Sequence, residues 1–174
     1  RDNLRAHAAK TAPARLFARP GWYLALLGAT ACVTMATEGT MYDWSSIFYA
    51  RTLDAPTPLV RLGYIVCMAA MVCGRFLVDG LITRFGPIRV LQAAGLCMCL
   101  GLGLLITAAG LPVATLGAGL TGLGMSAGVP ICFSLAGQSR RVPPSMAIAL
   151  VTAISFSGFM ACPPLIGHLA EAFS

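Results

Sequence analysis

Charge is what this chain lacks. Residues 90–139, between Arg89 and Arg140, contain no Asp, Glu, Lys or Arg. Over all 174 residues there are six acids, two histidines and only one lysine, and 10% of the chain is charged, against roughly 25% in ordinary soluble domains. A soluble protein of this size has no place to hide so long a neutral stretch. Each helix crossing the hydrocarbon core of a bilayer needs about 20 mostly apolar residues. The neutral stretch has room for two, with Gly110-Leu111-Pro112 as the turn. Catalytic signatures are also missing. His7 and His168 lie outside the apolar runs, and neither a His-Glu-x-x-His pair nor a Gly-x-Ser-x-Gly nucleophile occurs. The Gly-x-x-x-x-Gly-Lys loop that cradles ATP phosphates is absent too. The roughly ten-residue alternation of a membrane barrel strand is not found either.

What the chain has is apolar surface: 57% of its residues are hydrophobic, and its mean hydropathy is +0.81. Five apolar runs stand out, at about 22–43, 59–78, 88–108, 112–135 and 145–167. A polar loop is expected over 44–57, a short charged turn over 79–89, and another over 138–144. Lipid offers no hydrogen bonds, so each span must satisfy its backbone internally. The fold class is therefore an all-α membrane protein with five transmembrane helices. Residues 1–20 form a basic segment and residues 21–174 the helix bundle. The seven cysteines all lie in apolar runs and read as small buried hydrophobes. Cys97-Met98-Cys99 lacks metal-ligand spacing, and neither a metal nor a cofactor is expected.

The net charge of +6 is not a nucleic-acid footprint, because its cations cluster between the spans. Five spans sort the loops into two sets. Residues 1–19, the turn around Arg75, Arg84 and Arg89, and Arg140–Arg141 carry ten of the twelve Lys and Arg residues; Arg51 and Arg61 fall in the other set. Loops rich in Lys and Arg stay cytoplasmic. The first set, with the N-terminal segment, is expected in the cytoplasm of a cell whose inner membrane holds the spans.

Glu38 is the one acid well inside a span. An ionised group at that depth costs roughly 2.5–3.5 kcal/mol on insertion scales and marks a functional or paired site. Thr30, Thr34, Thr37, Glu38 and Tyr42 recur at helical spacing along one face. Two readings stand: a proton-titrating or solute-binding carboxylate, or a Glu that snorkels to the outer interface. Asp43 and Trp44 close the span, the Trp as an interfacial anchor. Arg75 and Asp79, four apart, suit an ion pair, either as a local bridge or as a conformational latch. Tyr64, Thr34, Ser126 and Ser155 are candidate solute contacts. The span at 88–108 is apolar on most sides and is expected to face lipid. The next span has many glycines, including Gly124-x-x-x-Gly128, a spacing that lets membrane helices approach closely, and Pro130, which should bend it.

The segment Gly74-Arg75 through Asp79 to Arg84-Phe85-Gly86-Pro87-Ile88-Arg89 resembles the loop signature of the major facilitator superfamily, in the version between its eighth and ninth helices. Thr83 stands where the strict signature has an acid, and Asp79 lies further back. Glu38-Gly39-Thr40-Met41-Tyr42-Asp43-Trp44-Ser45 is similar to the end of the seventh helix in the fucose-permease-like bacterial branch. Pro163-Pro164-Leu165-Ile166-Gly167 resembles the eleventh-helix pattern. The resemblance covers nearly the whole chain and implies helices seven to eleven of twelve, with the N-terminal half and last helix outside this sequence. It implies a secondary active transporter of a small polar solute, sugar-like or drug-like, working by alternating access with proton coupling. Its partners would be the solute, the bilayer and the missing half. A non-transporting membrane scaffold or sensor sharing the fold is the alternative; an intramembrane enzyme would need convergent catalytic groups that the spans lack.

The expected sidedness is testable. In a cysteine-free background, Thr83→Cys should react with a membrane-impermeant maleimide only from the cytoplasmic face, and Thr52→Cys only from the opposite face. Labelling of both from one side would contradict the five-span topology.

Overall fold

Proline and glycine set the helix boundaries. The computed structural model describes residues 21–139 and 142–173; the basic segment 1–20 and the Arg140–Arg141 turn lie outside the described residues. Five helices follow: α1 (Trp22–Arg51), α2 (Leu62–Phe85), α3 (Pro87–Ile106), α4 (Leu111–Gly137) and α5 (Pro144–Phe173). All five are long and apolar enough to cross a membrane. Pro87 and Pro144 open α3 and α5, and Pro112 sits in the first turn of α4. There the missing N–H is harmless, since helix-start donors have no intrahelical partner. Between α2 and α3 a single residue reverses the chain. Gly86 has φ +82°, a conformation that side chains resist, and its N–H still caps Ile82 O at 2.9 Å.

Two loops are shorter than expected. The polar loop placed over 44–57 begins only after Arg51. No Pro or Gly interrupts residues 44–51, and the first obstacles are Asp54, at φ +46°, and Pro56. Likewise, the charged turn placed over 79–89 is helical up to Phe85. The rule that apolar runs define spans locates where lipid ends, not where a helix ends. At 30 residues, α1 extends about 45 Å, beyond a hydrocarbon core of about 30 Å.

Helix α4 is the hub. It packs against all four other helices, whereas α2 and α3 touch each other little despite their one-residue connection, and α1 and α2 are also splayed. Apolar burial cannot drive this arrangement in lipid; close van der Waals packing of small residues does. The glycines of α4 face different partners. A Cβ at Gly124 would lie 2.5 Å from the backbone N of Met98 in α3, one at Gly122 would collide with the carbonyl of Cys67 in α2, and one at Gly128 with the Thr34 side chain of α1. Gly124 and Gly128 are thus not one dimer groove but two separate contacts. The α1–α5 seam follows the same logic: Gly158 sits on the Cys32 carbonyl and Gly28 beneath Ile154. Both α4 and α5 remain continuous through Pro130 and Pro163-Pro164.

Two clusters fill the bundle. Near the basic end, Leu24, Leu27 and Ala31 meet Cys132, Ala136, Ala147 and Val151. Toward the other end, Met41, Tyr49, Cys67, Met71, Met98 and Met125 form the larger core. Tyr49, fully buried, lies against Gly63 of α2 and donates to Thr115 Oγ1 of α4 at 3.3 Å. That anchor holds the last turns of α1 as helix. Helix α3 buries one stripe, Val90, Met98, Gly101 and Leu105, and leaves its other sides open, as expected of a peripheral lipid-facing span.

Backbone proximity predicts a sharp contrast between glycines. Gly122→Ala should destabilise the protein by about 1–3 kcal/mol or more, because the Cys67 carbonyl has nowhere to move. Gly95→Ala, with open space around it, should be neutral or up to about 1 kcal/mol stabilising. Thermal melting of the purified full-length protein in detergent measures both; equal effects would contradict the packing.

Candidate functional site

The polar residues of α1 part company in three dimensions. Thr30, Thr34, Thr37 and Thr40 each donate their hydroxyl to the carbonyl four residues back, at 2.8–3.0 Å. Those hydroxyls are occupied by their own helix. Thr34 is also buried against Gly128 of α4, so it is a packing residue and does not face a cavity. Ser155 is fully buried and donates to Thr152 O at 2.9 Å. Ser126 is buried and donates to Leu123 O at 2.6 Å, although it forms part of the wall of a cavity beside α2.

Glu38 keeps its freedom. It is half-buried on α1 and has no hydrogen-bond or ion-pair partner among the described residues. It stands on a helix that packs closely on α5 and only loosely on α2. One turn further along α1, Tyr42 meets Tyr64 of α2 edge-to-face, with ring centroids 5.3 Å apart and planes at 85°. The sequence nominated both tyrosines separately; the fold brings them together where α1 meets α2.

Tyr64, Arg75 and Asp79 fall on one side of α2 by helical spacing. At the basic end of that side a cavity of ≈ 370 Å³ is lined by Arg75, Asp79, Ser126, Pro130 and Phe133. Arg75 and Asp79 share its wall, but no ion pair joins them among the described residues. Arg75 Nη2 instead reaches back one turn to Met71 Sδ at 3.9 Å. The expected bridge fails because both side chains are exposed, where an i,i+4 pair gains only about 0.3–0.5 kcal/mol. Gly74 of the same motif has a clear packing role: a Cβ there would lie 2.5 Å from Ser126 Oγ. Gly86 makes the turn, and Arg84 and Arg89 flank it exposed.

Trp44, expected as an interfacial anchor, packs against α5. It is half-buried beside α5, with its ring 3.4 Å from where a Cβ of Gly167 would sit, and its Nε1 is buried without a partner among the described residues. Its neighbour Asp43 is exposed and shares a wall with Trp44, Phe159 and Pro163. Apart from the Pro-Pro pair, nothing in the local sequence marked α5 as Trp44's partner, since that contact joins residues over a hundred positions apart.

Five long apolar helices packed around the small residues of α4 define a membrane-embedded helical bundle. Relatives support this class. The chain is 32% identical over 159 residues to an uncharacterised MFS-type transporter of Yersinia pestis, covering 91% of this chain and 41% of that protein. It is 34% identical over 153 residues to an uncharacterised transporter of Sinorhizobium fredii, covering 88% and 41%. It is 29% identical over 149 residues to the membrane protein MosC of Rhizobium meliloti, covering 86% and 37%. The chain thus spans about two fifths of the length of the relatives it matches. No family model matches the chain, and no solved structure matches it. The relatives bear out the major facilitator resemblance across nearly all of the sequence, well beyond the loop signature. The fold is a five-helix piece of that kind of membrane protein. Two of the relatives are named as transporters and one as a membrane protein, which points away from an enzyme.

The tyrosine contact can be measured. A double-mutant cycle with Tyr42→Ala and Tyr64→Ala should give a coupling of about 0.5–1.5 kcal/mol in thermal unfolding of the full-length protein. Additive losses would mean that the rings do not meet.

Proposed function

We propose that this chain supplies helices seven to eleven of a secondary active transporter in a bacterial inner membrane, with residues 1–20 as the cytoplasmic central-loop segment. The transporter moves a small polar solute by alternating access, its two halves rocking about a midplane site. The observation that carries this reading is Glu38: an acid inside an apolar helix, half-exposed, and unpaired among the described residues. A carboxylate in that position would be costly if it faced acyl chains. Facing a water-filled path it can take up and release a proton, or accept hydrogen bonds from a solute hydroxyl.

The roles then distribute along α1 and α2. Glu38 couples proton movement to the solute. Tyr42 and Tyr64 offer aromatic faces and phenolic hydroxyls, a combination that suits sugars and drug-like molecules. Asp43 adds a second carboxylate toward the outer end. At the basic end, Arg75 and Asp79 line a separate cavity and are unpaired with each other, so they are available to groups from the other half of the transporter during the rocking motion. The similarity of residues 38–45 to the fucose-permease-like branch favours a sugar-like solute.

Full-length protein reconstituted in vesicles tests the assignment. Glu38→Gln should abolish accumulation driven by a proton gradient, by about 100-fold or more if the carboxylate carries the proton, while exchange of solute without a gradient persists. Unchanged gradient-driven accumulation in a folded Glu38→Gln protein would remove Glu38 from the mechanism.

A further inference from the structure

A further cavity lies between α2 and α3. It measures ≈ 480 Å³ and is bounded by α2, α3 and α4 in the half of the bundle that carries the basic turn, within the roughly 300–1,000 Å³ typical of small-ligand pockets. It exists because α2 and α3 both pack on α4 and hardly on each other. Small residues line the floor: Gly74, Ala94 and Ala127. On α2, Leu77, Leu81 and Phe85 follow at i, i+4 and i+8. All three are exposed, as is Ala93 across the slot. The slot is therefore open on its outer side.

Its chemistry is lopsided. Almost all of the wall is apolar, and no carboxylate is among its lining residues. The one charged lining group is Arg89, at the basic end. Arg84 stands next to it, its guanidinium 5.3 Å from the centroid of the Phe85 ring. Neither arginine has an ion-pair partner among the described residues. Between them the chain turns at Gly86, and α3 starts with no side-chain cap, leaving the positive end of its backbone dipole at the same mouth. A long greasy groove ending in two unpaired guanidiniums complements one kind of molecule: an acyl chain joined to an anionic headgroup.

We propose that this slot binds an anionic phospholipid of the cytoplasmic leaflet, one acyl chain lying between α2 and α3 and the phosphate held by Arg84 and Arg89. Basic pockets between membrane helices on the cytoplasmic side suit such headgroups. The lipid would wedge the two splayed helices at a fixed separation.

The test uses the full-length protein in neutral detergent, titrated with phosphatidylglycerol or phosphatidylcholine of matched chains and read by native mass spectrometry. Each arginine near the surface contributes about fivefold, so phosphatidylglycerol should bind about 25-fold more tightly than phosphatidylcholine. The Arg84→Gln/Arg89→Gln pair should erase that preference, and Arg84→Lys/Arg89→Lys should retain most of it. Ala93→Phe, which fills the slot from an exposed position, should weaken both lipids several-fold with helix content by circular dichroism unchanged. Equal binding of the two lipids to the unmodified protein would overturn the proposal. So would a preference that survives the double Gln variant, an affinity unmoved by Ala93→Phe, or full displacement by glycerol 3-phosphate, which has the headgroup charge and no chain. None of these readouts involves transport, so they stand or fall separately from the role of Glu38.

Discussion

Close backbone approach along α4 holds this bundle together. In lipid, helices gain little from hiding apolar side chains, since acyl tails solvate them equally well. What remains is dispersion over short distances, and it needs surfaces without bulk. Helix α4 offers such a surface in several directions: Gly124 toward α3, Gly122 toward α2 and Gly128 toward α1. Each partner seats where a side chain would otherwise stand. Helices α2 and α3 are held chiefly by α4, while α5 is held chiefly by its own small-residue seam with α1.

That arrangement has a functional consequence. Helices that share a hub but not a mutual seam leave gaps on either side. Between α2 and α3 an apolar cavity remains, with Arg89 in its wall; between α1 and α2 the Tyr42–Tyr64 contact bridges two loosely packed helices. Helix α2 separates two unlike environments, and its residues are sorted accordingly. Tyr64, Arg75 and Asp79 lie on one flank, and Leu77, Leu81 and Phe85 on the other. The two flanks differ because helical periodicity sends residues four apart to the same side.

Much of the fold was legible in the chain. The five apolar runs, the arginine bias and the turn at Gly86-Pro87 are local signals, and lipid permits almost no alternative to helix. The helix ends were less legible, because hydropathy marks the edge of the bilayer while Asp54 and Pro56 mark the end of α1. The candidate site was legible only in outline. Glu38, Tyr42 and Tyr64 were each visible, but their convergence depends on how far α1 and α2 splay. Thr34, Ser126 and Ser155 looked available in sequence; in the fold their hydroxyls are occupied by their own helices and their side chains are buried. The Arg75–Asp79 spacing permits an ion pair, yet spacing alone supplies too little energy to hold two exposed side chains together.

The sequence by itself determined that the protein lives in a membrane, how many times it crosses and which loops carry the positive charge. Those properties follow from composition and from the cost of moving charge and unpaired backbone into hydrocarbon, which every residue meets independently of its distant neighbours. Tertiary structure alone decided which face of each helix is covered, which polar groups remain unpartnered and where space is left between helices. These depend on contacts between residues such as Gly122 and Cys67, or Trp44 and Gly167, that lie far apart along the chain and become neighbours only when the helices pack.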